Sequence, residues 1–237
     1  MKVALCFFGQ PRVIENPYTY QSHVDHIISK YDVDVYAHTW ISGGERELEY
    51  SDWVNHNARS AEHPNAASII IDRYNPKKYL FEEPRVFSLD EVSRETVKSC
   101  RPCPAGGYYW SLNNENNTLS HLYSLSNSIK LLDGESYDWV VLSRYDNYID
   151  HFPNLNELDS NSLYLSNQYN HFVDVMMFGG QEHVSRLNCF DRIPNLCTKI
   201  GYFTPEEFKR VSYNQPESRI YIGVGIARTN TLEGLQK

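Results

Sequence analysis

Lys2-Val-Ala-Leu-Cys-Phe-Phe-Gly-Gln-Pro-Arg12 is the stretch that decides the fold. Lys2 to Phe8 is a continuous, almost wholly apolar run, closed by Gly9 and Pro11. A run of that length bounded by turn residues reads as a strand buried on both faces, then a turn. Downstream, Tyr20, Val24, Ile27, Ile28 and Tyr31 recur at spacings of 4, 3, 1 and 3, which is one face of a helix. Asp32-Val-Asp-Val-Tyr-Ala-His-Thr-Trp40 reads as a second strand. Strand, helix, strand is a βαβ unit, so the sheet is expected to be mostly parallel with helices on its faces.

The remaining elements extend that α/β pattern. Residues 42–67 are polar and irregular, a surface excursion. Residues 67–74 suit a helix or a strand, 78–82 a short strand and 89–98 a short helix. Residues 99–117 are rich in Pro, Gly and Asn, and long loops in compact domains often serve as lids. Asn117 reads as the N-cap of a helix carrying Leu119, Leu122, Leu125, Ile129 and Leu132, which ends at Gly134. Tyr137 to Ile149 holds a buried strand, Trp-Val-Val-Leu. Further strands are expected at 163–165, 173–178 and 220–227, and helices at 182–190 and 205–211. No linker divides the 237 residues, a length that suits a single domain.

A net charge of −8 without any basic run argues against nucleic acid as a partner, because phosphate contacts need clustered Lys and Arg. An anionic ligand therefore needs a local cation. No apolar stretch has the length of a membrane span, and no signal peptide is evident, so the expectation is a cytoplasmic protein. Five Cys, an odd number, suit a reducing compartment. Cys100-Arg-Pro-Cys103 lacks a second ligand pair and reads as two loop thiols.

Several residues stand where chemistry is done. Asp146 follows a buried strand, and in open α/β sheets ligands gather beyond the strands' carboxyl ends. A carboxylate there can hold a divalent ion; Arg144 and Asp150 flank it. Gly9 permits close backbone approach, and Arg12 can meet phosphate with two bonds. This turn is neither GxGxxG nor a P-loop. Asp174, in Val173 to Gly180, and Glu217 are candidates for the acceptor side or for a base. His38 and His171 read more readily as structural.

Taken in order, four segments resemble a GT-A-fold glycosyltransferase of the small type found in polysaccharide and lipopolysaccharide synthesis clusters. They are Lys2 to Arg12, the helix Asn117-Thr-Leu-Ser-His-Leu-Tyr-Ser-Leu125, the strand Tyr137 to Tyr148, and Asp174 to Gly180. The resemblance implies a single GT-A-like, Rossmann-like domain, with residues 1–150 as the nucleotide part and 151–237 as the acceptor part. It implies a nucleotide diphosphate-sugar donor, UDP-linked, a saccharide or other hydroxyl acceptor, and Mn²⁺ or Mg²⁺ as cofactor. Phe8, Gly9, Gln10, Arg12, Ser120, Ser124, Arg144 and Tyr145 would line the nucleotide. The family's Asp-x-Asp corresponds here to Arg144-Tyr145-Asp146, which keeps the metal position, Asp146, and puts Arg in place of the first Asp. No His follows His183, so the C-terminal metal ligand common in the family is missing. Asp174, then Glu217, would serve as base in an inverting transfer. The rival readings are a glycoside hydrolase with paired carboxylates and a non-catalytic sugar- or nucleotide-binding module.

Overall fold

The computed structural model describes residues 1–43, 47–49, 59–102, 111–166, 176–227 and 235–236. The expectations for Asp174, His171 and Cys103 lie outside the described residues. The chain forms β1 (Lys2–Gly9), α1 (Pro17–His23), β2 (Asp32–Trp40), β3 (Glu47–Glu49), β4 (Arg59–Ala61), α2 (Ala66–Tyr74) and β5 (Lys78–Glu82). It continues with α3 (Glu91–Lys98), α4 (Leu112–Lys130), β6 (Trp139–Ser143), β7 (Asn147–His151), β8 (Leu163–Ser166) and β9 (Met176–Gly179). The last elements are α5 (Gln181–Ser185), α6 (Ile193–Cys197), α7 (Pro205–Tyr213), β10 (Ser218–Ile220), β11 (Gly223–Ala227) and β12 (Leu235–Gln236).

A seven-stranded sheet runs β10-β8-β9-β6-β1-β2-β5. Only β9 runs against its neighbours β6 and β8; the other pairs are parallel. The mostly parallel α/β sheet expected from the βαβ pattern is therefore present. Strands from residues 1–150 and from 151–237 share it. The apolar run of β1 fills both faces. Val3, Leu5 and Phe7 join one core with Ile27, Ile70, Val141 and Tyr145, while Ala4, Cys6 and Phe8 join another with Leu125, Ile129 and Leu142. A smaller sheet, β12-β11-β7, lies beside the main one.

Several boundaries differ from the sequence reading; the helix expected at 182–190, for one, is the shorter α5, Gln181–Ser185. α4 begins at Leu112, capped by Ser111 Oγ, so Asn117 lies inside the helix rather than at its cap. The polar first turns are held by tertiary partners: buried Glu115 accepts from Leu89 N and Arg94, and Asn116 accepts from Phe87 N. The stretch 137–149 divides into β6 and β7, which belong to different sheets. The stretch 220–227 divides likewise into β10 and β11.

The turn before β8 packs against β9 with no room for a side chain. A Cβ at Gly179 would stand 2.4 Å from the Ser162 carbonyl oxygen, and one at Gly180 would stand 2.2 Å from that of Ser160. Backbone cannot swing aside as a flexible side chain can. Gly179→Ala is expected to cost about 2 kcal/mol through overpacking, lowering Tm by roughly 4–8 °C in a chain of this size. An unchanged Tm in thermal denaturation would refute the close approach.

Candidate functional site

The chain leaves β1 towards β2 on one side and later returns to β6 on the other, so the strand order reverses between β1 and β6. In open α/β sheets the crevice outside the carboxyl ends at such a reversal is where ligands bind. β1 and β6 are parallel, with Phe7 level with Ser143. Their carboxyl ends therefore carry Gly9 to Arg12 and Arg144 to Asp146 side by side.

The loop after β1 is held in an unusual shape. Gly9 has φ +95° and Val13 φ +46°. A β-branched residue in the left-handed region is strained by about 1–3 kcal/mol and persists only where its surroundings enforce it. Here Asn16 N donates to Val13 O at 2.8 Å, and the Asn16 side chain caps α1 by accepting from Tyr18 N and Thr19 N. From α2, Arg73 donates to the carbonyls of Ile14 and Glu15 at 2.9 and 3.2 Å. Gly9 N donates to Ser124 Oγ at 2.7 Å. The loop thus turns back towards β6 and brings Arg12 Nη1 within 4.0 Å of Asp146 Oδ2.

Asp146 is buried, with 1% of its surface exposed. Arg144 grips it with two bonds, Nε to Oδ1 at 2.9 Å and Nη2 to Oδ2 at 2.5 Å. The side chains of Arg12 and Arg144 keep 16% and 17% of their surface exposed, so both side chains border solvent while that of Asp146, at 2%, does not. The Asp146 carbonyl accepts from Ala227 N at 2.7 Å, which fastens the turn to β11. Asn147 Nδ2 donates to Ser143 Oγ at 2.9 Å and closes the turn from within. Beneath it His23 packs edge-on against Phe7 and bonds the Tyr74 hydroxyl at 3.0 Å through Nδ1. Burial pushes the His23 pKa down to about 3, so the ring is neutral.

The other residues singled out in the sequence fall into four groups. Gln10 stands in the loop, and its Oε1 accepts from Arg12 Nε at 2.9 Å, helping to aim the guanidinium. Phe8, Ser124 and Tyr145 surround the same strand ends but are buried. Tyr145 stacks on Phe7 at 4.7 Å and bonds Thr39 Oγ1 at 2.6 Å, so its ring supports the turn from the core side. Ser120, one turn before Ser124 on α4, is half-buried. Glu217 is not brought to this group. It precedes β10, three strands from β6, and pairs with Arg219 at 2.8 Å. The sequence reading did not single out Glu82, His121 or Lys209. His121 meets the Phe8 ring edge-on, and the buried Lys209 places Nζ 3.4 Å from His121 Nε2. A lysine between Phe208 and Arg210 on an amphipathic helix gives no sign in sequence that it is buried.

The Mn²⁺ or Mg²⁺ implied by the resemblance needs open oxygen ligands. Both Asp146 oxygens face a guanidinium group, an arrangement that competes with a divalent cation instead of making a place for one. Among the described residues no group of three His, Cys, Asp or Glu side chains is placed to hold a metal ion. None of the described helices is long and apolar enough to cross a membrane. No protein-family model matches the chain, and no curated protein matches its sequence.

Two predictions concern this pair and its support. Arg144→Met leaves a buried carboxylate without its two-bond partner and is expected to cost about 3 kcal/mol. Adding Asp146→Asn should restore most of that loss in urea denaturation; a single-variant loss below about 1 kcal/mol would refute the dependence of Asp146 on Arg144. His23 binds its proton in the unfolded chain near pH 6.5 but in the folded chain only near pH 3. Stability contributed by the neutral ring is therefore complete above pH 6.5 and falls as pH drops towards 3, by about 1.4 kcal/mol per pH unit. His23→Gln should flatten that slope in a pH series of denaturant melts; an identical slope would refute it.

Proposed function

We propose that the chain is a glycosyltransferase that moves a sugar from a nucleotide diphosphate-sugar, UDP-linked, to a saccharide or other hydroxyl acceptor. One observation carries this reading. Two segments about 130 residues apart meet at the strand-order reversal, each bringing a partly exposed arginine to the sheet's carboxyl edge. A diphosphate is the ligand such a pair suits, because guanidinium forks match phosphate oxygens in charge and spacing. The GT-A resemblance supplies the sugar. Its Asp-x-Asp position is the turn that holds Arg144 and Asp146.

In the proposed reaction Arg12 and Arg144 bind the diphosphate and stabilise the charge that develops on the leaving nucleotide. Asp146 works from behind, fixing the Arg144 fork so that its charge needs no reorganisation. Gly9, with no side chain, lets the diphosphate approach the backbone after β1. The half-buried Ser120 side of α4 faces the ribose or base. The acceptor hydroxyl is held close to the anomeric carbon, and in an inverting transfer Asp174 accepts its proton. The arginines do the work that Mn²⁺ or Mg²⁺ does in metal-dependent members of the resembled family.

Calorimetry with UDP tests the reading. UDP is expected to bind the unmodified protein in EDTA, with Mn²⁺ changing the affinity less than about threefold. Arg12→Ala and Arg144→Ala should each weaken binding about tenfold or more, the loss expected for a charge-assisted bond. Absence of UDP binding under both conditions would overturn the proposal. Binding that requires Mn²⁺ would restore the metal and remove the arginines from its role. UDP binding without turnover across a panel of UDP-sugars and saccharide acceptors would favour a binding module. Release of sugar from a glycoside without any nucleotide would favour a hydrolase.

A further inference from the structure

The four groups Gly9 N, Ser124, His38 and Glu82 come from β1, α4, β2 and β5, and they are joined end to end. Gly9 N–H donates to Ser124 Oγ at 2.7 Å. Ser124 Oγ is 2.8 Å from His38 Nδ1, and His38 Nε2 is 2.7 Å from Glu82 Oε2. Ser124 and His38 are fully buried. The directions of these bonds follow from the donor inventory. A backbone N–H can only donate, so Ser124 Oγ accepts from Gly9. The single Ser124 proton then has two targets, His38 Nδ1 at 2.8 Å and the His38 carbonyl at 3.3 Å. The shorter bond makes Nδ1 the acceptor. Nε2 then carries the ring proton and donates to the Glu82 carboxylate.

We infer that Glu82, His38 and Ser124 are positioning residues, a one-way hydrogen-bond relay that fixes the Gly9 peptide and so sets the direction in which the Gly9–Arg12 loop leaves the sheet. Burial favours the neutral His38 ring that the relay needs. Glu82 is the partly exposed terminus. Its other oxygen accepts from the Tyr123 hydroxyl at 3.3 Å and from Arg85 at 3.4 Å, and Arg85 lies over the Tyr123 ring. The carboxylate is therefore held in place from outside as well. The same three side-chain types make nucleophilic triads in hydrolases. Here that role fails on geometry: Ser124 Oγ is sealed from solvent and already accepts the Gly9 proton. The relay acts on the donor loop instead. Its role towards the donor rests on the transferase reading; its existence as a relay does not.

Nitrogen NMR of histidine in the unmodified protein at neutral pH is the first test. His38 is expected as the Nε2-protonated tautomer, and an Nδ1-protonated or doubly protonated ring would overturn the relay. Ser124→Ala is the second. Amide exchange at Gly9 is expected to speed up about tenfold, the effect of losing one hydrogen bond, while exchange at Leu5 and Val141 stays unchanged and UDP affinity falls by a similar factor. Equal acceleration throughout β1 would mean that Ser124 only stabilises the fold, which overturns a positioning role. If Ser124→Ala fails to fold, the tautomer of the unmodified protein decides. If the unmodified protein binds no UDP, the donor reading falls, and the tautomer and exchange results still decide the relay.

Discussion

A strand buried on both faces has nowhere to place a polar group except at its ends. β1 meets that constraint in the middle of the sheet, paired on both edges, with Val3 to Phe8 fully or almost fully buried. Its carboxyl end must still release the chain into solvent between two neighbouring strands. That is why the last residue of the strand is a glycine, why a left-handed Val13 follows four residues later, and why α4 and α2 reach in to bond the backbone of the loop. The shape of the Gly9–Arg12 loop is the consequence of ending this strand.

Charge is organised by the same constraint. Asp146 follows the neighbouring strand and is too deep for water to solvate it. A lone carboxylate at that depth is untenable, and Arg144 supplies the two bonds that make it tolerable. Such a pair adds little net stability compared with well-packed apolar residues of the same volume. Its presence at the sheet's carboxyl edge, where ligands gather, therefore calls for a reason other than stability. Orienting a guanidinium fork towards a ligand is such a reason. His23 below it is kept neutral by burial, so the charges at the turn are those of Asp146 and the two arginines, and arginine charge does not change with pH.

The sequence revealed most where local pattern and burial coincide. β2 and β5 have the bounds expected from their residues, and β1 runs one residue further, because an apolar run ended by Gly and Pro leaves few alternatives. It revealed least where partners distant in the chain decide. The start of α4 depends on Arg94 and on the backbone at Phe87 and Leu89, which no local signal near Asn117 announces. β6 and β7 read as one stretch because nothing local marks a change of sheet; the division is made by β11, some 75 residues later. At the candidate site, strand-end position made Arg12, Arg144 and Asp146 candidates, and the order of the four resembling segments singled them out. The grip of Arg144 on Asp146 was not legible, since residues two apart meet only because the turn folds them together. The same limit hid Glu82, which joins His38 and Ser124 from a strand 42 residues before the serine.

One substitution in the resembled motif changes its physics. Two carboxylates separated by one residue concentrate negative charge and make a place for a divalent cation, which then meets the diphosphate. Arg144 in the first position reverses that sign. Asp146, in the second position, is gripped with two bonds by the arginine beside it. A cation held by a protein can leave with the product; a guanidinium cannot. On the proposed reading, product release would then depend on weakening contacts to Arg12 and Arg144 one at a time, and the Gly9–Arg12 loop, fastened at its start by the Ser124 bond, is the part of the site whose position sets how tightly both can hold.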